Sequence, residues 1–200
     1  MSHACAILLP AAGASSRMRG ADKLLQRVDG HPILRRVAKQ AESVSPHVGV
    51  TLRPSDTQRL RALEDVSATR LWIEDASEGM AASLRAGAKW ALSLDVQAMM
   101  IALPDMPDIT ADDMHSLIAA QARLPQQPLR ASTAQGHPGH PVILPRSLFV
   151  AMLDLTGDAG AKTLLRAHPP RLHALPDQRA VMDLDTPEEW DAWRKAQPPA

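Results

Sequence analysis

The chain has 200 residues, which predicts a single domain, over residues 1–200, with a full hydrophobic core. Its formal net charge is zero and it contains four Trp, one Phe and no Tyr. The lack of net positive charge disfavours a protein that binds nucleic acid or an anionic membrane. The scarcity of aromatic residues disfavours binding of single strands by stacking of their bases. The only cysteine is Cys5, and no apolar stretch approaches the ~18 residues of a membrane span. We therefore expect a cytoplasmic protein without nucleic-acid or membrane partners.

Apolar runs typical of strands alternate with helical patterns along the chain. The predicted strands cover residues 4–9, 48–52, 70–73, 98–103 and 142–144. The predicted helices cover residues 32–42, 56–64, 80–92, 111–123, 146–153 and 160–167. This alternation predicts βαβ units, and strands that are apolar on both faces indicate an α/β protein whose mostly parallel sheet is covered on both sides. Ligands of such sheets bind at the carboxyl ends of the strands.

The segment after the first predicted strand combines small residues with two cations. Its small residues are Ala11, Ala12, Gly13, Ala14, Ser15 and Ser16. Unobstructed N–H groups in such a loop can form a concavity for phosphate oxygens, and Arg17 and Lys23 can add positive charge to the same anion. The segment predicts a triphosphate loop, with a plain turn as the alternative. The Walker pattern does not fit, because Lys23 follows Asp22, and the spacing from Gly13 to Gly20 excludes the dinucleotide fingerprint.

Carboxylates occur at two later positions that suit a metal. Asp105 follows the fourth predicted strand between two prolines, where a rigid carboxylate suits Mg²⁺; capping of the helix near Thr110 is the alternative. Asp183 and Asp185 are two residues apart, so on a strand they would share a face. Asp185 also precedes a helix start, which leaves a cap or turn role open. Spacing alone does not bring Asp105 and Asp185 together.

Two further segments are candidates for ligand contact. The run from Gly136 to Pro141 contains two glycines, two prolines and two histidines and predicts a defined loop, for which ligand contact and simple loop structure both remain open. A zinc pair is disfavoured, because the intervening Pro and Gly exclude a helical turn. The predicted helix that begins near Gly79 and contains Ser83 could present its N-terminus to a ligand or pack tightly through small residues.

In this order, these pieces resemble the nucleotidyltransferases that complete the molybdenum cofactor, from Ile7 to about Trp190. Asp105 in Leu-Pro-Asp-Met-Pro resembles the metal aspartate of that family. The runs Gly139-His140-Pro141-Val142 and Asp183-Leu184-Asp185-Thr186-Pro187 resemble its later motifs. Pro10-Ala11-Ala12-Gly13 is similar to the cytidylyl branch, which uses CTP, whereas the guanylyl branch carries Leu-Ala-Gly-Gly. Arg19 departs from the family's usual Arg-Met-Gly run.

The resemblance implies a three-layer, Rossmann-like nucleotidyltransferase fold and Mg²⁺-dependent transfer of CMP from CTP to molybdopterin, with release of pyrophosphate. It implies catalytic roles for Lys23, Arg17 and Asp105 and a metal site at Asp105 and Asp185. The nucleotide would contact Pro10, Ala11, Ala12, Gly13, Ser15, Arg17, Lys23, Gly79 and Ser83. The acceptor would contact Gly139 and His140.

Other functions fit the same motifs. One is a related transferase that uses GTP or a sugar-phosphate acceptor, and another is a non-catalytic carrier that delivers the cofactor to a client molybdoenzyme. Intact Lys23, Asp105 and Asp185 favour an enzyme.

Overall fold

A seven-stranded sheet forms the centre of the computed structural model, which describes residues 4–75, 78–157 and 162–197. Its strands are β1 (Cys5–Pro10), β4 (Val48–Leu52), β5 (Thr69–Trp72), β6 (Ala98–Ile101), β7 (Leu129–Ser132), β8 (Pro138–Pro145) and β9 (Arg171–Ala174). Two short strands, β2 (Arg27–Val28) and β3 (His31–Pro32), form a separate antiparallel pair.

The strand order is β5-β4-β1-β6-β8-β7-β9, and the sheet is mostly parallel, as predicted. Strands β5, β4, β1 and β6 are mutually parallel, and so are β7 and β9. Only β8 runs against its neighbours β6 and β7. The carboxyl ends of β1 and β6 therefore lie side by side at one edge of the sheet, next to the amino end of β8.

Helices cover both faces of the sheet. They are α1 (Ile33–Val44), α2 (Thr57–Ala62), α3 (Met80–Leu92), α4 (Ala111–Arg123), α5 (Phe149–Met152), α6 (Lys162–Ala167) and α7 (Pro187–Ala196). Capping boxes at Thr110 and Thr186 fix the starts of α4 and α7, because each threonine side chain and the acid three residues later satisfy free backbone N–H groups. Among the described residues no helix is both long and apolar enough to cross a membrane.

Alternation along β1 divides the core between the two faces. Ile7 packs in a cluster with residues of α1, α4 and α7, whereas Leu8 packs with residues of α3, α5 and α6. Trp190 of α7 is fully buried in the first cluster, and Phe149 of α5 is fully buried in the second. The result is the three-layer arrangement that the sequence predicted.

Two sequence predictions about local structure are wrong. The run from Gly136 to Pro141 is not a loop throughout, because β8 begins at Pro138 and so contains both Gly139 and His140. Asp183 and Asp185 do not share the face of a strand, since the segment between the turn ending at Val181 and α7 has no strand structure. The loop was predicted from its glycines and prolines, and the shared face was predicted from the two-residue spacing of Asp183 and Asp185.

Other boundaries differ by a few residues. Helix α1 begins at Ile33 rather than Pro32, which ends β3. The predicted helix over 146–153 is a short 3-10 turn, Arg146–Leu148, followed by α5. Of the predicted helix over 160–167, residues 160 and 161 lie outside the described residues and the remainder is α6.

Candidate active site

A cavity of about 370 Å³ lies where the carboxyl ends of β1 and β6 meet the start of α3. It is lined by Pro10, Ala12, Gly13, Ala14, Arg17, Lys23, Leu24, Gly79, Met80, Ser83, Leu103, Pro104 and Asp105. Three larger cavities, of about 510, 670 and 590 Å³, contain none of the residues predicted for the nucleotide, the metal or the acceptor. Residues that were selected from three distant parts of the sequence thus share one cleft.

The small-residue loop follows β1 and contains strained backbone. Ser15 and Arg19 both adopt left-handed conformations, with φ of 51° and 52°. Arg19 lies at the end of the short 3-10 turn Ser16–Met18 and forms an ion pair with Glu188 at 2.7 Å. The left-handed conformation of Arg19 ends the 3-10 turn, and its side chain reaches the first turn of α7.

Ala11 and Ser15 hold the loop and are not among the residues that line the cavity. The Ala11 N–H group donates to the backbone oxygen of Thr51 and to its Oγ1, at 3.2 and 3.0 Å. The Ser15 hydroxyl donates to Asp22 at 3.1 Å and accepts from the Lys23 N–H group. The Ala11 N–H group and the Ser15 hydroxyl thus form hydrogen bonds within the protein. The neighbouring Ala12, Gly13 and Ala14 instead line the cavity.

Arg59 of α2 organises the loop, and no pattern in the sequence marks it for this role. Its guanidinium donates to the carbonyl oxygens of Ala11 and Gly13 at 2.6 and 2.8 Å. It also donates to both carboxylate oxygens of Asp22, at 2.7 and 2.8 Å, and to Ser15 Oγ at 3.2 Å. Only 2% of Arg59 is exposed. Burial works to raise the pKa of Asp22, but Arg59 outweighs it and holds that pKa below its usual value.

Lys23 lies between two carboxylates that are far apart in the sequence. Its Nζ donates to Asp185 Oδ1 at 2.6 Å and also to Asp105 Oδ2. Arg17 forms a second ion pair with Asp185, at 2.7 Å between Nη1 and Oδ2. Burial works to lower the pKa of Lys23, but the two carboxylates outweigh it and keep the pKa above its usual value. Lys23 is therefore a fixed positive charge in the lining of the cavity.

Backbone contacts bring Asp185 to Asp105. The Leu184 N–H group donates to the Asp105 carbonyl oxygen at 3.1 Å, which joins the C-terminal segment to the end of β6. The Asp185 N–H group donates to Glu189 at 2.7 Å, within the cap of α7. The cap of α7 thus positions Asp185 without using its own carboxylate, which reaches Lys23 and Arg17 although Asp185 is not among the residues that line the cavity.

This carboxylate pair suits a hard divalent cation. Asp105 Oδ1 is buried and has no hydrogen-bond partner, so one oxygen at the centre of the cluster is unsatisfied. Among the described residues there is no group of three or more His, Cys, Asp or Glu side chains that could hold a metal on its own. Mg²⁺ is held in such sites by one or two carboxylates, and phosphate and water complete its shell. Asp105 and Asp185 fit that role.

Gly139 and His140 lie in β8, next to this cluster. A Cβ at Gly139 would lie 1.6 Å from the carbonyl oxygen of Ala180, so β8 and the turn before the Asp183–Asp185 segment pack in direct backbone contact. His140 Nδ1 is buried without a hydrogen-bond partner. Burial, helped by the positive charge of Arg130, lowers the pKa of His140 to about 4, so the ring is neutral at pH 7.

Gly79 and Ser83 line the cavity from the side of α3. Gly79 has a φ of 65°, a left-handed conformation that glycine adopts at little cost just before the helix. Ser83 accepts a hydrogen bond from Thr51 Oγ1 at 3.0 Å, and Thr51 in turn accepts from the Ala11 N–H group. The start of α3 is thus coupled to the loop through one buried threonine.

Comparison with known proteins gives both a family and a fold. The family model described as "MobA-like NTP transferase domain" matches residues 6–172. The purine catabolism protein PucB of Bacillus subtilis (strain 168) is 29% identical over 126 residues, which are 62% of this chain and 60% of PucB. The chain therefore aligns with less than two thirds of that curated relative.

Solved structures with the same fold cover nearly the whole chain. Rv0371c of Mycobacterium tuberculosis H37Rv, in a complex with manganese, has a TM-score of 0.79 and 20% identity over 98% of this chain and 100% of its own. The molybdopterin-guanine dinucleotide biosynthesis protein A of Archaeoglobus fulgidus has a TM-score of 0.67 and 13% identity over 94% of this chain and 96% of its own. At these identities the likeness establishes the fold.

Proposed function

We propose that this chain, which belongs to the family of MobA-like NTP transferase domains, transfers CMP from CTP to the terminal phosphate of a molybdopterin-type cofactor and releases pyrophosphate. The observation that carries the proposal is the meeting of Lys23 and Arg17 with the carboxylates of Asp105 and Asp185 beside the small-residue loop. Lys23, Arg17 and Asp105 line the cavity, and Asp185 adjoins it through its ion pairs with the two cations. We also propose that residues 1–200 act as one such domain, in the cytoplasm, and that the product passes to a client molybdoenzyme.

The loop would bind the triphosphate. Ala12, Gly13 and Ala14 carry no side chain beyond Cβ and face the cavity, so their backbone can approach phosphate oxygens closely. Arg59 uses the carbonyl oxygens of Ala11 and Gly13, which fixes the orientation of the peptide groups in the loop. The loop is therefore organised before the nucleotide arrives, and this lowers the ordering cost of binding.

Lys23 would stabilise the charge that develops during transfer. Its ammonium group is held by Asp105 and Asp185 and remains protonated, because both carboxylates raise its pKa against the effect of burial. The Asp105 and Asp185 carboxylates would hold Mg²⁺, which supplies charge neutralisation for the nucleotide phosphates when bound. Arg17, with 70% of its side chain exposed, can turn from Asp185 toward the outgoing pyrophosphate.

The reaction itself requires little covalent chemistry from the protein. An oxygen of the acceptor phosphate forms a bond to the α-phosphorus of CTP, and the bond from that phosphorus to the bridging oxygen of the β-phosphate breaks. The electron pair leaves with pyrophosphate. The protein contributes position and fixed charge, which are the main terms in phosphoryl-type transfer.

CTP is the proposed nucleotide because Pro10-Ala11-Ala12-Gly13 resembles the cytidylyl branch of the family. Pro10, Ala12 and Gly13 of this run lie on the cavity wall, where they can contact a nucleotide. Gly139 and His140 are proposed to lie on the acceptor side, since β8 adjoins the end of β6 that carries Asp105.

The acceptor is tested by product analysis. Purified protein with Mg²⁺ and CTP is incubated with molybdopterin-type cofactor or with a panel of sugar phosphates, and products are identified by mass. A cytidylyl conjugate of the pterin alone supports the proposal, whereas a conjugate of a sugar phosphate alone overturns the acceptor. An Asp105→Asn variant is the control, because it keeps the size of the side chain and removes its charge.

A further inference from the structure

Arg130 of β7 is a partly buried cation without a matching anion. Its Nε donates to the Gly139 carbonyl oxygen at 2.8 Å, and its Nη2 lies 3.4 Å from the Pro138 carbonyl oxygen. Among residues 4–75, 78–157 and 162–197, no carboxylate forms an ion pair with it. Burial lowers the pKa of Arg130, the direction expected for a cation that is partly removed from water. A guanidinium held by two carbonyls keeps other N–H donors for a ligand.

Arg130 lies close to His140 of β8, which adjoins the end of β6 that carries Asp105. Arg130 is opposite Val142 in the pairing of β7 with β8, two residues from His140. The positive charge of Arg130 lowers the pKa of His140, and the negative charge of Asp105 raises it. The imidazole ring is therefore close to both charges. Arg130 and Asp105 thus lie close to the same buried histidine of β8.

The sheet face that carries Arg130 is not fully covered. Leu129 and Ala131 pack in the core cluster on one face, so Arg130 between them points to the other face. Its neighbour across the β7–β9 pairing is Leu172, which is 50% exposed. An unpaired guanidinium beside an exposed leucine offers an anion contact and an apolar contact side by side.

We infer that Arg130 and Leu172 form the binding surface for the acceptor, and that Arg130 binds its phosphate monoester through charge-assisted hydrogen bonds. The inference deepens the proposed function and rests on it, because that reaction needs an acceptor phosphate held beside the cluster of Lys23 and Asp105. Guanidinium groups suit this role since their fork of donors matches phosphate oxygens. The apolar Leu172 suits the ring system of a pterin.

The test measures binding of phenyl phosphate, a simple monoester with an apolar ring, by titration calorimetry. A non-hydrolysable CTP analogue and Mg²⁺ are present, so that the small-residue loop is already occupied. We expect Arg130→Gln to weaken phenyl phosphate binding by about tenfold or more, the effect of losing hydrogen bonds to a charged group. Arg61→Gln, at an exposed arginine of α2, should bind like the wild type.

Steady-state kinetics separates binding from support of the fold. In Arg130→Gln the KM for molybdopterin should rise by about tenfold, while kcat and the KM for CTP stay within a factor of two. Arg130→Lys keeps the charge and should restore part of the loss. If the KM values for both substrates rise and the melting temperature falls as well, Arg130 has only a structural role and the proposal is overturned.

The outcomes also separate this inference from the proposed function. Wild-type protein that binds the CTP analogue but does not bind phenyl phosphate, or binds it as well as Arg130→Gln does, overturns the acceptor surface and leaves nucleotidyl transfer intact. A second outcome is that the wild-type protein does not bind the CTP analogue but binds phenyl phosphate, and that Arg130→Gln loses this binding. That outcome supports the anion site and contradicts nucleotidyl transfer.

Discussion

Arg59→Met tests whether one buried arginine holds the small-residue loop. The substitution retains most of the side-chain volume and removes all five hydrogen bonds to Ala11, Gly13, Ser15 and Asp22. It leaves two carbonyl oxygens without their donor and a carboxylate without its partner. We therefore expect loss of stability and loss of loop geometry together.

The magnitude follows from burial. Arg59 is 2% exposed at its side chain and Asp22 is 26% exposed, and removing one member of a buried ion pair costs about 3–5 kcal/mol. For a domain of this size about 2–4 °C of melting temperature is lost per kcal/mol. We expect Arg59→Met to melt on the order of 10 °C below the wild type. A displaced loop should also lower kcat/KM for CTP by about 100-fold.

The pH dependence distinguishes the ion pair from simple packing. Because the folded pKa of Asp22 lies below the usual value of 3.8, the pair stabilises the fold above that value and its contribution is lost as the pH falls below it. The stability gap between wild type and Arg59→Met should be full at pH 7 and shrink below about pH 4. Chemical denaturation across this range measures the gap directly.

A double-mutant cycle with Asp22→Asn provides the decisive comparison. If the two residues stabilise the loop as a pair, the double variant is less destabilised than the sum of the single variants by about 1 kcal/mol or more. Additive effects, or a melting temperature for Arg59→Met within about 2 °C of the wild type, would refute the reasoning.

Three further predictions concern Asp105, Lys23 and the close packing of Gly139. Asp105→Ala should remain folded but lose Mg²⁺-dependent transfer, and near-normal turnover would remove Asp105 from the metal site. Lys23→Ala should lower kcat by about 10²–10³-fold, and a change confined to KM would contradict its role in the transition state. Gly139→Ala should lower the free energy of unfolding by about 1–3 kcal/mol or more, because the added Cβ would lie 1.6 Å from the Ala180 carbonyl oxygen; an unchanged denaturation midpoint would argue against that contact.

The layers of the fold could be predicted because their signals are local. Runs such as Met99–Ile101 are apolar on both faces, and Thr110 and Thr186 are recognisable caps, so the central strands and the main helices follow from the sequence. Strands β7 and β9 were missed because neither contains a continuous apolar run: Arg130 interrupts β7, and Arg171 and His173 interrupt β9. Their pairing is a tertiary effect that no local pattern reports.

The site could be predicted only where a motif marks it. Lys23, Asp105 and Asp185 were candidates from their local sequence, and the resemblance assigned them to one site. The structure brings them together around one ammonium group. Arg59 could not be found, because an arginine on a short polar helix normally indicates a solvated face. Gly139 was expected to contact the acceptor, and its closeness to Ala180 depends on packing between segments forty residues apart.

The most direct test of the account is pyrophosphate release in the presence of Mg²⁺ and molybdopterin-type cofactor, compared for CTP, GTP, ATP and UTP. We expect release with CTP, dependent on the cofactor and absent in Asp105→Ala. Release with GTP alone would contradict the base choice. Tight binding of the cofactor without release from any nucleotide would contradict the proposed transfer and favour a carrier.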